Sequence, residues 1–278
     1  TSANKTLVTH QENPYNIFRM DYFQALTLGT IQGFTEFLPI SSSGHLFLVE
    51  HFWNIMPNLH FEILLHGASL LAVILLFQKK IHLILKGWMH LLGSSQGSRS
   101  YGILGLKLLA ATFMTFPLAY VIQIYFDQLL TPDLVAKTLI ITGVFILIAE
   151  QYRPKTERGF SWRMAIFLGL VQGFAPIPGI SRSGITIAFL IFSGLKRRHA
   201  AEISFLLAIP TILAALIYSW IQQGEMLLIT PQVLLACVMS FLAAIVAMTW
   251  MVKLVEKKWI YFAPYCFILG LIVLIAVH

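Results

Sequence analysis

Eight stretches of the chain are dominated by apolar residues, and they are of two kinds. Six run unbroken, over roughly 60–78, 101–124, 134–150, 200–220, 231–252 and 259–277. That is the length an α-helix needs to cross a hydrocarbon core of about 30 Å. Two more, over roughly 22–50 and 163–193, are interrupted midway. The first break reads Leu38-Pro39-Ile40-Ser41-Ser42-Ser43-Gly44, and the second Pro176-Ile177-Pro178-Gly179-Ile180-Ser181-Arg182-Ser183-Gly184. A lipid-exposed helix does not tolerate such breaks, because the freed backbone groups find no water. Irregular backbone survives at membrane depth only inside protein or beside a polar cavity. The pattern predicts an all-α integral membrane protein with six transmembrane helices and two re-entrant helical hairpins, their turns near the midplane. Residues 1–20 are predicted to form a polar tail without the apolar region of a signal peptide.

Composition agrees. Of 278 residues 58% are apolar and 11% charged, against about 25% charged in soluble domains. The net charge of +7 would suggest nucleic acid in a soluble protein, but its distribution points to the bilayer instead. Fourteen of the 19 Lys and Arg fall in four loops: Lys79, Lys80, Lys86 and Arg99; Arg153, Lys155, Arg158 and Arg163; Lys196, Arg197 and Arg198; Lys253, Lys257 and Lys258. The loops around 125–133 and 221–230 hold none. This is the positive-inside asymmetry, and it puts the four basic loops in the cytoplasm. It holds only if each broken stretch returns to the side it entered, the first from outside and the second from the cytoplasm. Trp162, Trp220 and Trp259 fall at span ends, as interfacial anchors. Cys237 and Cys266 have no redox or metal spacing and read as small buried side chains.

The two broken stretches are copies. Leu28–Gly44 aligns without a gap on Leu168–Gly184, with nine of 17 positions identical, among them Gln32/Gln172, Gly33/Gly173, Ser41/Ser181, Ser43/Ser183 and Gly44/Gly184. Shared membrane composition does not produce matched Gln, Gly and Ser. The chain therefore reads as one membrane domain of two repeats, about 22–150 and 163–278. Each repeat holds one hairpin and three spans, an odd number of crossings that inverts the second half. Inverted repeats with broken helices at matching positions place a site at the midplane, where the halves meet.

The differences between copies carry the chemistry. Glu36 aligns with Pro176, Ser42 with Arg182, and His45 with Ile185. Gln32 and Glu36 share a helix face. Ser41, Ser42, Ser43 and Gly44 lead into a helix N-terminus, where free N–H groups and the positive dipole end suit a phosphate. Gly179, Ser181, Ser183, Gly184 and Thr186 repeat the device, and Arg182 adds a fork for two phosphate oxygens. Such a set can hydrolyse a phosphoanhydride. Glu36 could bind a divalent cation or act as base, His45 could relay a proton or be the nucleophile, and Ser41, Ser42 or Ser43 could be the nucleophile. The plainer alternatives are packing roles for Ser43 and Gly44 and a structural ion pair for Glu36 and Arg182. Glu62, His66, His199 and Glu202 sit near span ends and read as interfacial or structural. His51, His60, His82 and His90 show no metal-ligand spacing.

At these motifs the chain resembles the bacitracin-resistance type undecaprenyl-diphosphate phosphatases. Gln32 to His45 is similar to that family's first signature, and Pro178 to Thr186 to its second. The resemblance covers nearly the whole chain. It implies a multi-pass phosphatase of the bacterial inner membrane, dependent on Mg²⁺ or Ca²⁺ and acting from the outer side. The reaction implied converts undecaprenyl diphosphate, a polyprenyl diphosphate lipid, to the monophosphate, recycling the carrier lipid of cell-wall synthesis. It implies site roles for Glu36, Ser41, Ser42, His45, Ser181, Arg182, Ser183 and Thr186. Gln32 stands where many members have Glu. A homodimer is left open. The rival reading is a transporter, a flippase for the lipid product or an anion carrier, because inverted repeats with broken helices are typical of carriers. The asymmetry of acid, histidine and arginine between the copies favours the enzyme.

Overall fold

The computed structural model describes residues 20–55, 59–93, 98–126, 129–152, 158–223 and 229–278. The N-terminal tail, and Arg153 and Lys155 of the basic loops, lie outside the described residues. Those residues form ten α-helices: α1 (Tyr22–Phe37), α2 (Ser42–Phe52), α3 (Leu59–Leu91), α4 (Arg99–Phe126), α5 (Pro132–Gln151), α6 (Trp162–Gln172), α7 (Arg182–Phe192), α8 (Arg197–Gln223), α9 (Pro231–Lys257) and α10 (Phe262–Val277). A 3₁₀ turn, Trp259–Tyr261, leads into α10.

Six of these segments are long and apolar enough to cross a membrane, as the hydropathy pattern predicts. The first differs from expectation. Its helix does not stop near residue 78 but continues through Lys79, Lys80 and Lys86 to Leu91. At 33 residues it is about 50 Å long, so its last turns extend beyond a hydrocarbon core of about 30 Å. One of these charges is paired: Lys80 Nζ lies 2.5 Å from Glu202 Oε2 on α8.

The two broken stretches each give a pair of short helices packed on each other, α1 with α2 and α6 with α7. Helices α2, α6 and α7 have 11 residues each, about 16 Å, too short to span. Each N-cap is a small polar residue whose side chain receives an N–H of the first turn: Asp21 on α1, Ser41 on α2, Ser161 on α6 and Ser181 on α7.

The pairs are inserted by glycine. Helix α1 lies along α9, and α6 lies along α4. A β-carbon at Gly29 would stand 2.2 Å from Ala236 O, and one at Gly169 would stand 2.2 Å from Ala111 O. These repeat-matched glycines let one backbone touch another, the close approach that small residues give helices in lipid.

Charges gather at the two ends of the bundle. At one end Arg197 pairs with Glu150 at 2.8 Å, and Arg198 lies near Glu202 and Glu256. At the other, the His278 ring stands 3.5 Å from Asp133, which also holds Lys137.

Candidate active site

The site forms where the two interruptions meet. Pro39 forces the preceding residue out of helical geometry, and Leu38 is extended, ending α1. Ser41 then takes φ 68°, unusual for a residue with a β-carbon. In the second interruption Gly179 takes φ 90°, and its conformation has a packing reason. A β-carbon there would fall 2.0 Å from Thr138 Oγ1. Helix α5 supplies hydrogen bonds that this irregular backbone lacks: Thr138 Oγ1 donates to Pro178 O at 2.5 Å, and Thr142 Oγ1 to Gly179 O at 2.9 Å. Ser181 N–H in turn donates to Thr142 Oγ1.

The interruptions also hold each other. Gly179 N–H donates to Ser41 Oγ at 3.1 Å, and Ser183 Oγ donates to Leu38 O at 2.9 Å. The N-termini of α2 and α7 converge as a result. Because Ser41 and Ser181 cap through Gly44 N–H and Gly184 N–H, the first N–H groups of both helices have no partner among the described residues. Two convergent helix N-termini with free N–H groups make an anion site.

Glu36 stands beside them, 7% exposed. Its Oε1 receives Arg182 Nη2 at 2.6 Å. Its Oε2 receives Ser42 Oγ–H at 2.7 Å and Gln32 Nε2–H at 3.1 Å, and lies 3.0 Å from His66 Nδ1. Gln32 Nε2 is also 2.8 Å from that Nδ1. Glu36 at the C-terminal turn of α1 and Arg182 at the first position of α7 both oppose their helix dipoles. Their pairing offsets that, and the Arg182 guanidinium keeps a second nitrogen, Nη1, without a partner.

A cavity of about 630 Å³ opens at this cluster. Glu36, Ser41, Ser42, Ser43, His66, Ser181 and Arg182 line its polar end. From there it runs between α4 and α8, past Phe116, Pro117, Ile212 and Leu216, to Tyr120, Gln123 and Tyr218 near the C-terminal ends of those helices. One charged end and a long apolar wall suit an amphiphile with an anionic head.

The structure thus gathers Gln32, Glu36, Ser42 and Arg182 as their motifs suggest. Other expected residues are placed differently. His45 does not line the cavity: its Nδ1 lies 2.7 Å from Ser41 O and its Nε2 2.7 Å from Tyr265 Oη on α10. Gly44 and Gly179 are packed against each other. Ser183 is bonded to Leu38, and Thr186 Oγ1 to Arg182 O and Ser204 Oγ, away from the cavity. His66, expected at a span end, is in the cluster. Its signal in the sequence is faint: it lies 30 residues from Glu36, in no motif.

These residues do not fit a divalent cation on Glu36. One carboxylate oxygen is held by a guanidinium and the other by three neighbours, so a cation would displace Arg182 or meet its charge at contact. Among the described residues no cluster of three His, Cys, Asp or Glu is placed to hold a metal.

A family profile for bacitracin resistance protein BacA matches residues 25–272. The chain belongs to that family. Three relatives bear this out. Undecaprenyl-diphosphatase 2 of Halalkalibacterium halodurans is 35% identical over 268 residues, 91% of this chain and 95% of the relative. Undecaprenyl-diphosphatase of Desulforapulum autotrophicum is 36% identical, covering 92% and 99%. That of Treponema denticola is 39% identical, covering 91% and 96%. The BacA match spans both interruptions and reaches into all six long helices, so every residue lining the cavity lies inside it.

Proposed function

We propose that this chain is an undecaprenyl-diphosphate phosphatase, releasing inorganic phosphate from a polyprenyl diphosphate and leaving the monophosphate. The observation that carries the mechanism is the Ser42–Glu36–Arg182 arrangement at the head of an otherwise apolar cavity. Ser42 Oγ attacks the terminal phosphorus while its proton passes over 2.7 Å to Glu36. The bond from that phosphorus to the bridging oxygen breaks, and the polyprenyl monophosphate leaves with the bridging oxygen. Arg182 and the N–H groups of α2 and α7 hold the charge on the transferred phosphoryl group. Water then hydrolyses the phosphoserine and restores Ser42. The polyprenyl chain lies along the apolar wall between α4 and α8.

The two short helix pairs act as re-entrant hairpins of an inverted repeat, and the polar cavity explains why broken backbone is tolerated there. The end with Lys80, Arg197 and Arg198 faces the cytoplasm. The cavity runs toward the opposite end, so the site faces the outer side of the bacterial plasma membrane. Glu36, held by Arg182, Ser42, Gln32 and His66, offers no place for the Mg²⁺ or Ca²⁺ that the family resemblance implies. Calorimetric titration of substrate-free protein with either ion should then detect no site, and a stoichiometric site lost in Glu36→Gln refutes this. The flippase or anion-carrier alternative is not favoured, since the relatives are named as diphosphatases.

Phosphate release from undecaprenyl diphosphate by purified protein in detergent tests the reading. Detergent removes sidedness, so a carrier releases nothing. Wild type should turn over, and Ser42→Ala should not. An active Ser42→Ala variant would remove Ser42 as nucleophile, and an inactive, folded wild type would remove the function.

A further inference from the structure

We propose that His66 is the proton-carrying residue of this site, relaying the Ser42 proton from Glu36 to the cavity. The inference rests on the phosphatase reading above and adds a residue that neither signature contains.

Three polar atoms stand in mutual contact: Gln32 Nε2, Glu36 Oε2 and His66 Nδ1, at 2.8, 3.0 and 3.1 Å. Gln32 Nε2 donates to Glu36 Oε2, and in the relay its second amide hydrogen goes to His66 Nδ1, 2.8 Å away. That sets the His66 tautomer. A ring nitrogen that accepts cannot also carry the proton, so a neutral His66 has its hydrogen on Nε2. Nδ1 and Oε2 then face each other with lone pairs and no proton between them. Ser42 is the neighbour that can supply one, since its hydroxyl already donates to the same Oε2.

The other side of the ring completes the path. His66 is 28% exposed where it lines the cavity, and Nε2 has no hydrogen bond among the described residues. One ring nitrogen thus meets the carboxylate that takes the Ser42 proton, and the other faces the cavity that holds the reacting group. His45 lacks this freedom, because both its nitrogens are occupied. The unpartnered Gln32 Oε1 fits the cycle as well. When Nδ1 gains a proton, an amide flip presents an acceptor to it.

The cycle balances. As Ser42 Oγ bonds to phosphorus, its proton passes through Glu36 to Nδ1. The Nε2 proton goes to the departing bridging oxygen. In the second step water attacks the phosphoserine and gives a proton to Nε2. The Nδ1 proton returns through Glu36 to Ser42 Oγ. No co-reactant other than water is needed.

The experiment compares wild type, Ser42→Ala, His66→Gln and His66→Gly for phosphate release from undecaprenyl diphosphate in detergent, with and without imidazole. Glutamine keeps a side-chain amide beside Glu36 but does not carry a proton between two atoms. The relay predicts that His66→Gln lowers kcat about 100-fold, the scale of a lost proton-transfer group, with KM within about threefold. Imidazole should restore about tenfold or more to His66→Gly. A purely structural histidine predicts near-normal kcat in His66→Gln or a loss carried by KM, and either overturns the relay. A folded His66→Gly variant that does not respond to imidazole also overturns it. If that variant does not fold, His66→Gln decides alone. A silent wild type would instead sink the phosphatase reading, so the two failures are distinct.

Discussion

His45 Nε2 lies 2.7 Å from the Tyr265 hydroxyl, and the two rings are near parallel with centroids 5.7 Å apart. The contact ties α2 to α10, and the other ring nitrogen bonds Ser41 O, the carbonyl of the residue with positive φ. On this geometry the expected role of the signature histidine is to brace the turn that presents Ser42. His45→Ala should therefore lose stability and activity together, with about 1–3 kcal/mol of destabilisation from the unpaired groups left behind. Tyr265→Phe should move both in the same direction by less. Thermal unfolding and turnover of the two variants check this. A His45→Ala protein of full stability and little activity would return His45 to the proton chemistry.

Arg182 is expected to act through geometry as well as charge. Lysine restores the charge but not the planar fork that holds Glu36 and a phosphoryl oxygen at once. Arg182→Lys should fold and still lose about 100-fold or more in kcat. Arg182→Ala leaves Glu36 buried without its partner and should also lose about 3–5 kcal/mol of stability. The double variant Arg182→Ala, Glu36→Gln should recover stability and remain inactive. Turnover in the double variant would make the pair structural only.

The glycine contacts predict a sharp contrast. A β-carbon at Gly33 would stand 2.1 Å from Ser240 O, and α1 and α9 would have to separate. At Gly67 the nearest atoms are the side-chain tips of Leu216 at 3.6 Å, an ordinary contact. Gly33→Ala should be markedly destabilised in a thermal unfolding assay. Gly67→Ala should be neutral or slightly stabilised, since alanine is favoured in helices by about 1 kcal/mol. Equal behaviour of the two would mean that α1 is not seated on α9 by backbone contact.

Sidedness can be read by labelling in intact cells. In a background with Cys237 and Cys266 replaced by alanine, Leu129→Cys and Glu256→Cys lie near opposite ends of the bundle. An impermeant maleimide should reach position 129 and not 256. The reverse pattern would turn the site toward the cytoplasm.

The sequence by itself determined most of the scaffold. Six spans were legible because each is an uninterrupted apolar run of membrane length, a local property of the chain. The short helices were legible because Pro39, Pro176 and Pro178, clustered with Gly and Ser, remove backbone donors, and Gly179 permits a turn conformation, all of which disfavour a continuous helix. The offset between copies set Glu36 against the half that carries Arg182, and those residues do meet, at 2.6 Å. The end of α3 was not legible, because one of the lysines read as a loop, Lys80, is paired on a helix with Glu202, 122 residues away.

Only the tertiary structure decided which histidine stands beside Glu36. His45 and His66 are each a single residue on a helix, and which way each ring points depends on how that helix is rolled. For α2 the roll is set by packing against α1 and α5, and it turns His45 to Tyr265 on α10. For α3 it is set by packing against α1, α4, α8 and α9, and it brings His66 to Glu36. No spacing along the chain encodes those rotations, because they depend on the joint fit of several helices distant in sequence.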